Sequence, residues 1–229
     1  MQPYFLPYIG YWQLLAACDR FVLYDRIQYT KKGWINRNRF LLNGRDEVFS
    51  LPLRKAAEGL DVVERELAPE FEPGKLLGRW KGAYHRAPHF ARTFELMERV
   101  LLDCPDRNLY AFVRHSIFAV ATHLGIHTPI VTSSDLPPSA TAGKGVEKVL
   151  GICQAEEATC YLNPIGGQDL YDKQAFAGRG VMLQFLRSRP IEYPQFGDRH
   201  VPWLSILDVL MFNPVEVVRE QMLPAYDLV

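Results

Sequence analysis

The amino-acid sequence predicts an α/β fold with a mainly parallel sheet. Short apolar segments rich in β-branched and aromatic residues alternate along the chain with longer segments of helical periodicity. The clearest short segments span residues 21–25, 129–132, 160–162 and 181–186. Continuous apolar segments of this length are typical of parallel strands, because helices cover both faces of a parallel sheet. We therefore predict a single α/β domain over residues 1–229.

The composition indicates a packed globular protein. Of the 229 residues, 48% are hydrophobic and 12% aromatic, which is enough to build a core. The 26 Lys and Arg residues balance the 26 Asp and Glu residues, so we expect no nucleic-acid partner. No apolar run approaches the roughly 20 residues of a membrane span, and no signal-peptide pattern is visible. We expect a cytoplasmic protein without a membrane span.

The cysteines and histidines do not predict a metal site. The four cysteines form no CxxC pair, so we interpret them as buried residues of a reduced protein. His85 and His89 are four residues apart, as two ligands on one helix face would be. Pro88 lies between them and breaks that geometry. We expect no metal, and the sequence leaves any cofactor unknown.

The first residues predict an extended loop followed by a helix. The Gln2-Pro3 and Leu6-Pro7 pairs favour extended backbone, and an apolar helical pattern begins near Tyr8. A strand normally precedes such a loop in α/β folds, so we expect that a first strand is missing before Gln2. The loop is equally well explained as an arm docked on the core or as a ligand-contacting loop.

A hairpin is predicted around residues 43–44. The apolar runs at 40–42 and 48–53 flank this Asn-Gly pair, and the charged residues 45–47 suggest a loop longer than two residues. Residues 60–67 alternate with period two and are interpreted as a half-buried strand.

The segment from about residue 73 to 125 predicts helices, which we interpret as an insertion or lid. Asp106 is a candidate N-cap for the last of them, and Gly125 ends it. Residues 203–212 and 214–222 predict C-terminal helices.

Four polar segments, at residues 2–8, 25–38, 133–144 and 163–169, each follow a strand. The first of them follows the strand that we expect before Gln2, and the other three follow predicted strands. Ligands of doubly wound sheets bind beyond the carboxyl ends of the strands. We therefore expect Arg37, the Gly166-Gly167 turn and the N-terminal loop to line one cleft.

Residues 34–39 are the strongest local candidate for a binding element. They combine an indole, two amides and two guanidinium groups, and guanidinium groups suit carboxylates and phosphates. Lys31 and Lys32 add charge that favours an anionic substrate. We expect Arg37 to matter more for binding than for folding. The alternatives are a solvated loop anchored by Trp34, or a buried ion pair between Arg37 and Asp25 or Asp208.

Three further positions have both functional and structural interpretations. The Gly166-Gly167 turn is suited to an anion at a helix N-terminus, and equally to a tight turn. Asp25 follows a strand and is a candidate general base or ribose ligand. Asp208 lies in an apolar helix, where we favour a structural hydrogen bond to a loop.

Five segments in this order resemble the WbqC-like family of bacterial proteins. They are QPYFLPYIGYW, YDRIQYTKKGWINRNR, SSDL, YLNPIGGQDLY and LSILDVLMFN. The resemblance covers nearly the whole chain, and QPxFxPxxGY and WxNRN are its most specific parts. The chain is also remotely similar to HUP-type adenylyl-transferring folds. In this chain, however, Pro and Tyr occupy the positions of the histidines in the HxGH motif of those folds. The resemblance implies a Rossmann- or HUP-like sheet.

The resemblance and the residue chemistry together give the candidate site. We predict three catalytic residues, Asp25, Tyr29 and Asp208. The predicted substrate-binding residues are Gln2, Tyr4, Tyr8, Gln28, Lys31, Trp34, Asn36, Arg37, Asn38, Asn163, Gly166, Gly167 and Tyr171. Arg26 occupies a position where a second acidic residue is common in the family.

Genes of this family often lie in O-antigen and other surface-polysaccharide clusters. The resemblance implies a transferase of that pathway, acting on a nucleotide-linked sugar by aminoacyl (glycine) transfer or amide formation. The alternative is a non-catalytic ligand- or partner-binding protein of the same pathway, because the sequence shows no convincing nucleophile or base. We expect a small-molecule substrate and leave the oligomeric state open.

Overall fold

The computed structural model describes residues 1–197 and 199–229. Its seven strands within these residues are β1 Phe21–Leu23, β2 Arg37–Leu42, β3 Arg45–Ser50, β4 Ile130–Thr132, β5 Cys160–Pro164, β6 Met182–Ser188 and β7 Tyr226–Leu228. The α-helices are α1 Ile9–Ala17, α2 Pro73–Tyr84, α3 Phe90–Leu102, α4 Leu109–Leu124, α5 Pro138–Thr141, α6 Val146–Ala155, α7 Lys173–Ala177, α8 Ile206–Phe212 and α9 Val215–Val217. The predicted α/β class is confirmed, although two of the four strand pairs among the described residues are antiparallel.

The strands of the described residues form three small sheets. β1 pairs with β4 in parallel, β2 pairs with β3 as an antiparallel hairpin, and β5 pairs with β6 in parallel while β7 is antiparallel to β6. The strands predicted at residues 21–25 and 129–132 are therefore confirmed, and they form a parallel pair. A continuous Rossmann- or HUP-like sheet is not shown.

The hairpin has a tighter turn than the sequence suggested. Leu42 pairs directly with Arg45, so the turn consists of Asn43 and Gly44 alone. Both residues have positive φ, at 51° and 74°, as a type I′ turn requires. Our expectation of a longer loop was wrong, because the charged residues 45–47 are exposed residues of β3 itself.

Residues 60–67 do not form the strand that we predicted. Residues Val62–Glu64 form a single 3₁₀ turn instead. The Glu64 carboxylate accepts a hydrogen bond from the backbone of Asp61 at 2.8 Å, and the Asp61 side chain caps the turn in return. This reciprocal cap stabilises a helical turn at the point where the alternating pattern favoured extended backbone.

Helices α2, α3 and α4 build much of the main core. Trp80, Met97, Val113 and Leu124 are fully buried there, in the same apolar cluster as Trp12 of α1. That these helices are an insertion stays a prediction. A second, smaller apolar cluster lies between α6, α7, β5 and β6.

The two ends of α4 show one wrong prediction and one correct one. Its N-cap is Asn108, whose side chain accepts a hydrogen bond from Ala111 N at 3.1 Å. Asp106 instead accepts from the backbone of Asn108, so it supports the cap without being one. Gly125 ends the helix with φ of 68°, as predicted.

Candidate functional site

The N-terminal loop is held in place by the predicted motif residues themselves. The Leu6 carbonyl accepts hydrogen bonds from Asn38 Nδ2 at 2.9 Å and from Ser205 Oγ at 2.7 Å. Phe5 N donates to Ile35 O at 3.0 Å. Asn38 is buried, so its amide clamps this loop to β2 and faces away from solvent. Asn38 was predicted to bind substrate, and its observed contacts hold the N-terminal loop in place.

Gln2 and Tyr4 lie half-buried at the start of this loop. The Tyr4 hydroxyl donates to Gln2 Oε1 at 2.9 Å, and burial raises the pKa of the Tyr4 phenol. The Tyr11 hydroxyl donates to the Gln2 carbonyl at 3.1 Å. The loop is thus internally hydrogen-bonded.

Tyr8 packs against Trp203 at the end of the same loop. Their ring centroids are 5.8 Å apart, and Trp203 is 62% exposed. A Cβ at Gly10 would lie 2.5 Å from the Tyr8 ring, so only glycine allows this packing. Trp203 has φ of 60°, a conformation that costs free energy for a bulky residue and is enriched at functional sites.

Asp25 lies at the carboxyl end of β1, as predicted, and is nearly fully buried. Its Oδ1 accepts hydrogen bonds from Ser133 Oγ at 2.7 Å and Ser134 N at 3.1 Å. Burial alone would raise the pKa of Asp25, but these hydrogen bonds outweigh it and hold the pKa below its usual value. Asp25 is therefore ionised at neutral pH and ties β1 to the turn after β4.

Asp208 is fully buried in α8. Its Oδ1 accepts a hydrogen bond from the Tyr84 hydroxyl at 2.7 Å. Its Oδ2 accepts from the Tyr193 hydroxyl at 2.8 Å and from Gln195 Nε2 at 2.7 Å. Burial raises the pKa of Asp208, although all three donors oppose that shift. Tyr193 and Gln195 belong to the segment between β6 and α8, so this is the hydrogen bond to a loop that the sequence favoured.

Tyr29 and Asn36 connect the segment after β1 to the hairpin. The Tyr29 hydroxyl donates to Asn36 Oδ1 at 3.0 Å, and Asn36 Nδ2 donates to Leu51 O at 2.7 Å. Asn36 is buried. Its amide therefore positions the Tyr29 phenol, which was predicted to be catalytic.

A cavity of about 730 Å³, here called the basic cavity, lies beside Tyr29. Residues 28–32, 53–60 and Arg65 line it. Three of the predicted site residues lie here, namely Gln28, Tyr29 and Lys31. Its charged lining residues are the cations Lys31, Lys32, Arg54, Lys55 and Arg65 and the carboxylate Glu58. The residues that line the basic cavity therefore carry a net positive charge.

Arg65 is the most buried cation of the basic cavity, with 9% of its surface exposed. Its guanidinium carbon lies 4.9 Å from the centre of the Tyr29 ring. Its terminal nitrogens donate to Arg54 O at 3.2 Å and Ala57 O at 3.5 Å. Within residues 1–197 and 199–229, Nε has no hydrogen-bond partner and the guanidinium has no ion-pair partner.

Sequence reasoning missed Arg65. It stands between Glu64 and Glu66, where an arginine is typical of a solvated charged face. In the structure Glu64 caps a turn and Glu66 pairs with Arg54, so neither carboxylate neutralises Arg65. The position has no distinguishing sequence pattern, and only its burial reveals it.

Trp34, Arg37 and Arg39 together form an exposed surface next to the basic cavity. We call this surface the tryptophan ledge. The guanidinium carbons of these two arginines lie 5.3 and 5.5 Å from the indole centre, and Trp34 is 40% exposed. Arg37 donates from Nε to Gly33 O at 2.9 Å and from Nη2 to Lys32 O at 2.6 Å. The alternative ion pair of Arg37 with Asp25 or Asp208 does not occur among the described residues.

Arg39 joins the tryptophan ledge to Trp203. Its Nη2 donates to the Trp203 carbonyl at 3.2 Å, and its Nη1 pairs with Asp46 at 3.1 Å. One guanidinium group thus contacts both the exposed Trp34 indole and the backbone of Trp203.

The glycine turn after β5 is the 3₁₀ segment Ile165–Leu170. A Cβ at Gly167 would lie 2.0 Å from Asn163 Nδ2, so glycine is required for that amide to pack. Gly166 is exposed and has open space around it. Tyr171 packs against Tyr161 with ring centroids 6.0 Å apart. These contacts explain the turn structurally, and an anion-binding role stays a prediction.

The structure thus brings all of the predicted site residues except Asp25 and Asp208 together in two groups. The first surrounds the N-terminal loop, the basic cavity and the tryptophan ledge, and its members are Gln2, Tyr4, Tyr8, Gln28, Tyr29, Lys31, Trp34, Asn36, Arg37 and Asn38. The second surrounds the turn after β5 and consists of Asn163, Gly166, Gly167 and Tyr171. That both groups line one cleft stays a prediction.

Two kinds of feature are absent from the described residues. No cluster of three or more His, Cys, Asp or Glu side chains is arranged to hold a metal ion. None of the described helices has both the length and the apolar character needed to cross a membrane.

The fold and the site define a mixed α/β protein with a cationic cavity beside an aromatic surface. The chain belongs to the WbqC-like protein family, which it matches over residues 2–220. It is similar to the uncharacterized protein Rv1507c of Mycobacterium tuberculosis (strain ATCC 25618 / H37Rv), with 27% identity over 217 residues that cover 93% of this chain and 91% of that protein. No solved structure matches the chain significantly. The resemblance inferred from the sequence motifs is confirmed.

Proposed function

We propose that this WbqC-like protein binds a nucleotide-linked sugar and acts as a transferase in surface-polysaccharide (O-antigen) assembly. The transferred group would be an aminoacyl group such as glycine, attached through an amide. The observation that carries the proposal is the buried Arg65 guanidinium in a cavity of mainly positive charge.

A phosphate group fits the basic cavity because it supplies the missing negative charge. Burying a guanidinium group without a neutralising anion costs free energy, and its planar donors match the oxygens of a phosphate. Lys31 and Arg54 already have carboxylate partners, whereas Arg65 has none among the described residues. A diphosphate would reach Arg65 and the lysines at the mouth together.

A ring attached to that phosphate fits the tryptophan ledge. The loop of residues 30–34 contributes Lys31 and Lys32 to the basic cavity and Trp34 to the ledge. Exposed indoles bind the apolar face of a sugar or base, and Arg37 adds donors at its edge. One ligand could therefore occupy both surfaces.

A specific observation favours the alternative of a non-catalytic binding protein. Asp25 and Asp208 are both buried and hydrogen-bonded, and the Tyr29 hydroxyl donates to Asn36. A general base needs a free lone pair within reach of the substrate. Binding in the basic cavity is common to both functions, and only the transfer step separates them.

The test measures binding and turnover on matched variants. We expect pyrophosphate and nucleotide-linked sugars to stabilise the wild-type protein by about 2.7 kcal/mol at a hundredfold excess over Kd. Arg65→Gln should weaken binding by on the order of tenfold or more, because a charge-assisted hydrogen bond is worth about 1.5–3 kcal/mol. Arg114→Gln is the control, since its guanidinium also lies over an aromatic ring with an unpartnered Nε, outside the basic cavity.

Equal affinities of the two variants would contradict the assignment of the basic cavity. Mass spectrometry of reactions containing a nucleotide-linked sugar and an aminoacyl donor then tests the transfer. An aminoacylated sugar supports the transferase, and binding without product supports the alternative.

A further inference from the structure

A second cavity, here called the strand cleft, separates the two parallel pairs of strands. It has a volume of about 760 Å³ and is lined by residues 17–22 and 155–163, among others. In the part of the chain that the structure describes, β1 pairs only with β4, and β5 only with β6. Each pair therefore presents to the strand cleft one strand edge that has no neighbouring strand.

The backbone groups of β1 alternate between its two sides, as in any parallel ladder. Phe21 N donates to Pro129 O on the side of β4. The N–H and C=O groups of Val22 consequently point to the opposite side, into the strand cleft. An unpaired N–H at the edge of a strand favours pairing with another strand.

The same argument applies to β5. Met182 N of β6 donates to Thr159 O, which fixes the side of β5 that faces β6. The backbone groups of Cys160 and Leu162 therefore point away from β6, toward the strand cleft. Two rows of hydrogen-bonding groups face each other across it.

Met1 already occupies one end of the strand cleft as a strand residue would. Its α-ammonium donates to Val22 O, and its carbonyl accepts from Tyr24 N at 2.8 Å. This is the hydrogen-bond pattern of a parallel bridge opposite Leu23. Burial lowers the pKa of the ammonium group to about 5, whereas a peptide N–H would make the same bond without a buried charge.

An ion pair before the two strands and shared lining residues at their ends indicate that β1 and β5 run in the same direction. Arg20, just before β1, pairs with Glu156, just before β5, at 2.8 Å. Tyr24, just after β1, and Asn163, near the end of β5, line the same cleft. A strand between them can therefore be parallel to both.

We propose that the strand cleft accepts one β-strand, continuous with Met1 and parallel to both β1 and β5. The inserted strand joins the two parallel pairs into one sheet, in the order β4, β1, inserted strand, β5, β6, β7. Strands typically contain about five or six residues. The cleft is flanked by apolar residues such as Leu14, Val149 and Leu162, so the inserted strand is apolar. This inference is independent of the proposed function.

The test compares the present chain with two chains extended before Met1. One extension consists of about six alternating Val and Thr residues, a typical strand length. The control extension has Pro at alternate positions, because Pro cannot donate the hydrogen bonds of a central strand. Cys18 and Cys160 line the strand cleft, whereas Cys104 does not, so the alkylation rate of each thiol reports the occupancy of the cleft.

With the Val/Thr extension, we expect alkylation of Cys18 and Cys160 to slow at least tenfold while Cys104 is unaffected. The melting temperature should also rise above that of the Pro control. Equal rates in all three chains, or equal protection by the Pro control, would overturn the proposal. If the extended chain fails to fold, a blocked Val/Thr peptide added to the present chain replaces it. Saturable protection of the same two thiols then supports the proposal, and no protection refutes it.

Discussion

Asp208 and Arg65 are both buried charged residues, but their surroundings differ. Asp208 accepts hydrogen bonds from three side chains, two of which belong to the segment that precedes α8. Arg65 donates to two backbone carbonyls and has neither a carboxylate partner nor a partner for Nε among the described residues. A buried charged side chain with a complete set of hydrogen bonds holds segments of the fold together, and one with unused donors is available for a ligand.

The largest expected effect is that of Asp208→Ala on stability. It leaves the donors of Tyr84, Tyr193 and Gln195 without their acceptor, and we expect a loss on the order of 3–5 kcal/mol in urea unfolding. Asp227→Ala is the control, because that carboxylate forms an exposed ion pair with Arg189, and solvent-exposed ion pairs contribute little to stability. Similar losses in both variants would contradict a structural role for Asp208.

Variants of Gly166 and Gly167 test whether an anion binds at the glycine turn after β5 and not at Arg65. Gly167→Ala should destabilise the protein by about 1–3 kcal/mol, because its Cβ would collide with the Asn163 amide. Gly166→Ala should change stability by less than about 0.5 kcal/mol, since open space surrounds that position. In an Asn163→Ala background the cost at Gly167 should shrink. Weaker pyrophosphate binding by both glycine variants, with Arg65→Gln unaffected, would place the anion at the turn.

Arg37→Lys should have a mixed effect, which revises the expectation from the sequence. Arg37 holds the carbonyls of Lys32 and Gly33 and covers Trp34, and Lys lacks the planar pair of donors that makes these hydrogen bonds. We expect a loss of about 0.5–1.5 kcal/mol in stability and about 1–3 kcal/mol in ligand binding. Thermal unfolding and titration of the same protein measure both. A loss of stability with unchanged affinity would make Arg37 a purely structural clamp.

The smallest effect is the pH dependence of the two buried carboxylates, which should have opposite signs. The pKa of Asp25 is lowered by folding, so its stabilisation is present above about pH 4 and fades as pH falls further. The pKa of Asp208 is raised, so its contribution decreases as pH rises from about 4. Urea unfolding of Asp25→Asn and Asp208→Asn between about pH 3 and 7 should give differences from wild type with opposite slopes. Parallel slopes would contradict one of these assignments.

Several elements could be predicted because their causes are local. The Asn-Gly pair specifies the hairpin turn, Gly125 ends α4, and the apolar segments at residues 21 and 130 form a parallel pair. The motif residues Asn36 and Asn38 were predicted to bind substrate, and that role stays a prediction. Their side chains proved to hold the N-terminal loop and the hairpin, because the amides face inward.

The sequence by itself determined the α/β class, the family, the elements with local turn or cap residues, and the cationic loop at residues 31–39. Only the tertiary structure decided which charges are neutralised. Asp208 meets Tyr84 from a helix 124 residues earlier in the chain, and Arg65 is separated from both of its neighbouring glutamates. Hydrogen-bond partners and burial depend on contacts between distant segments, and no local pattern encodes them.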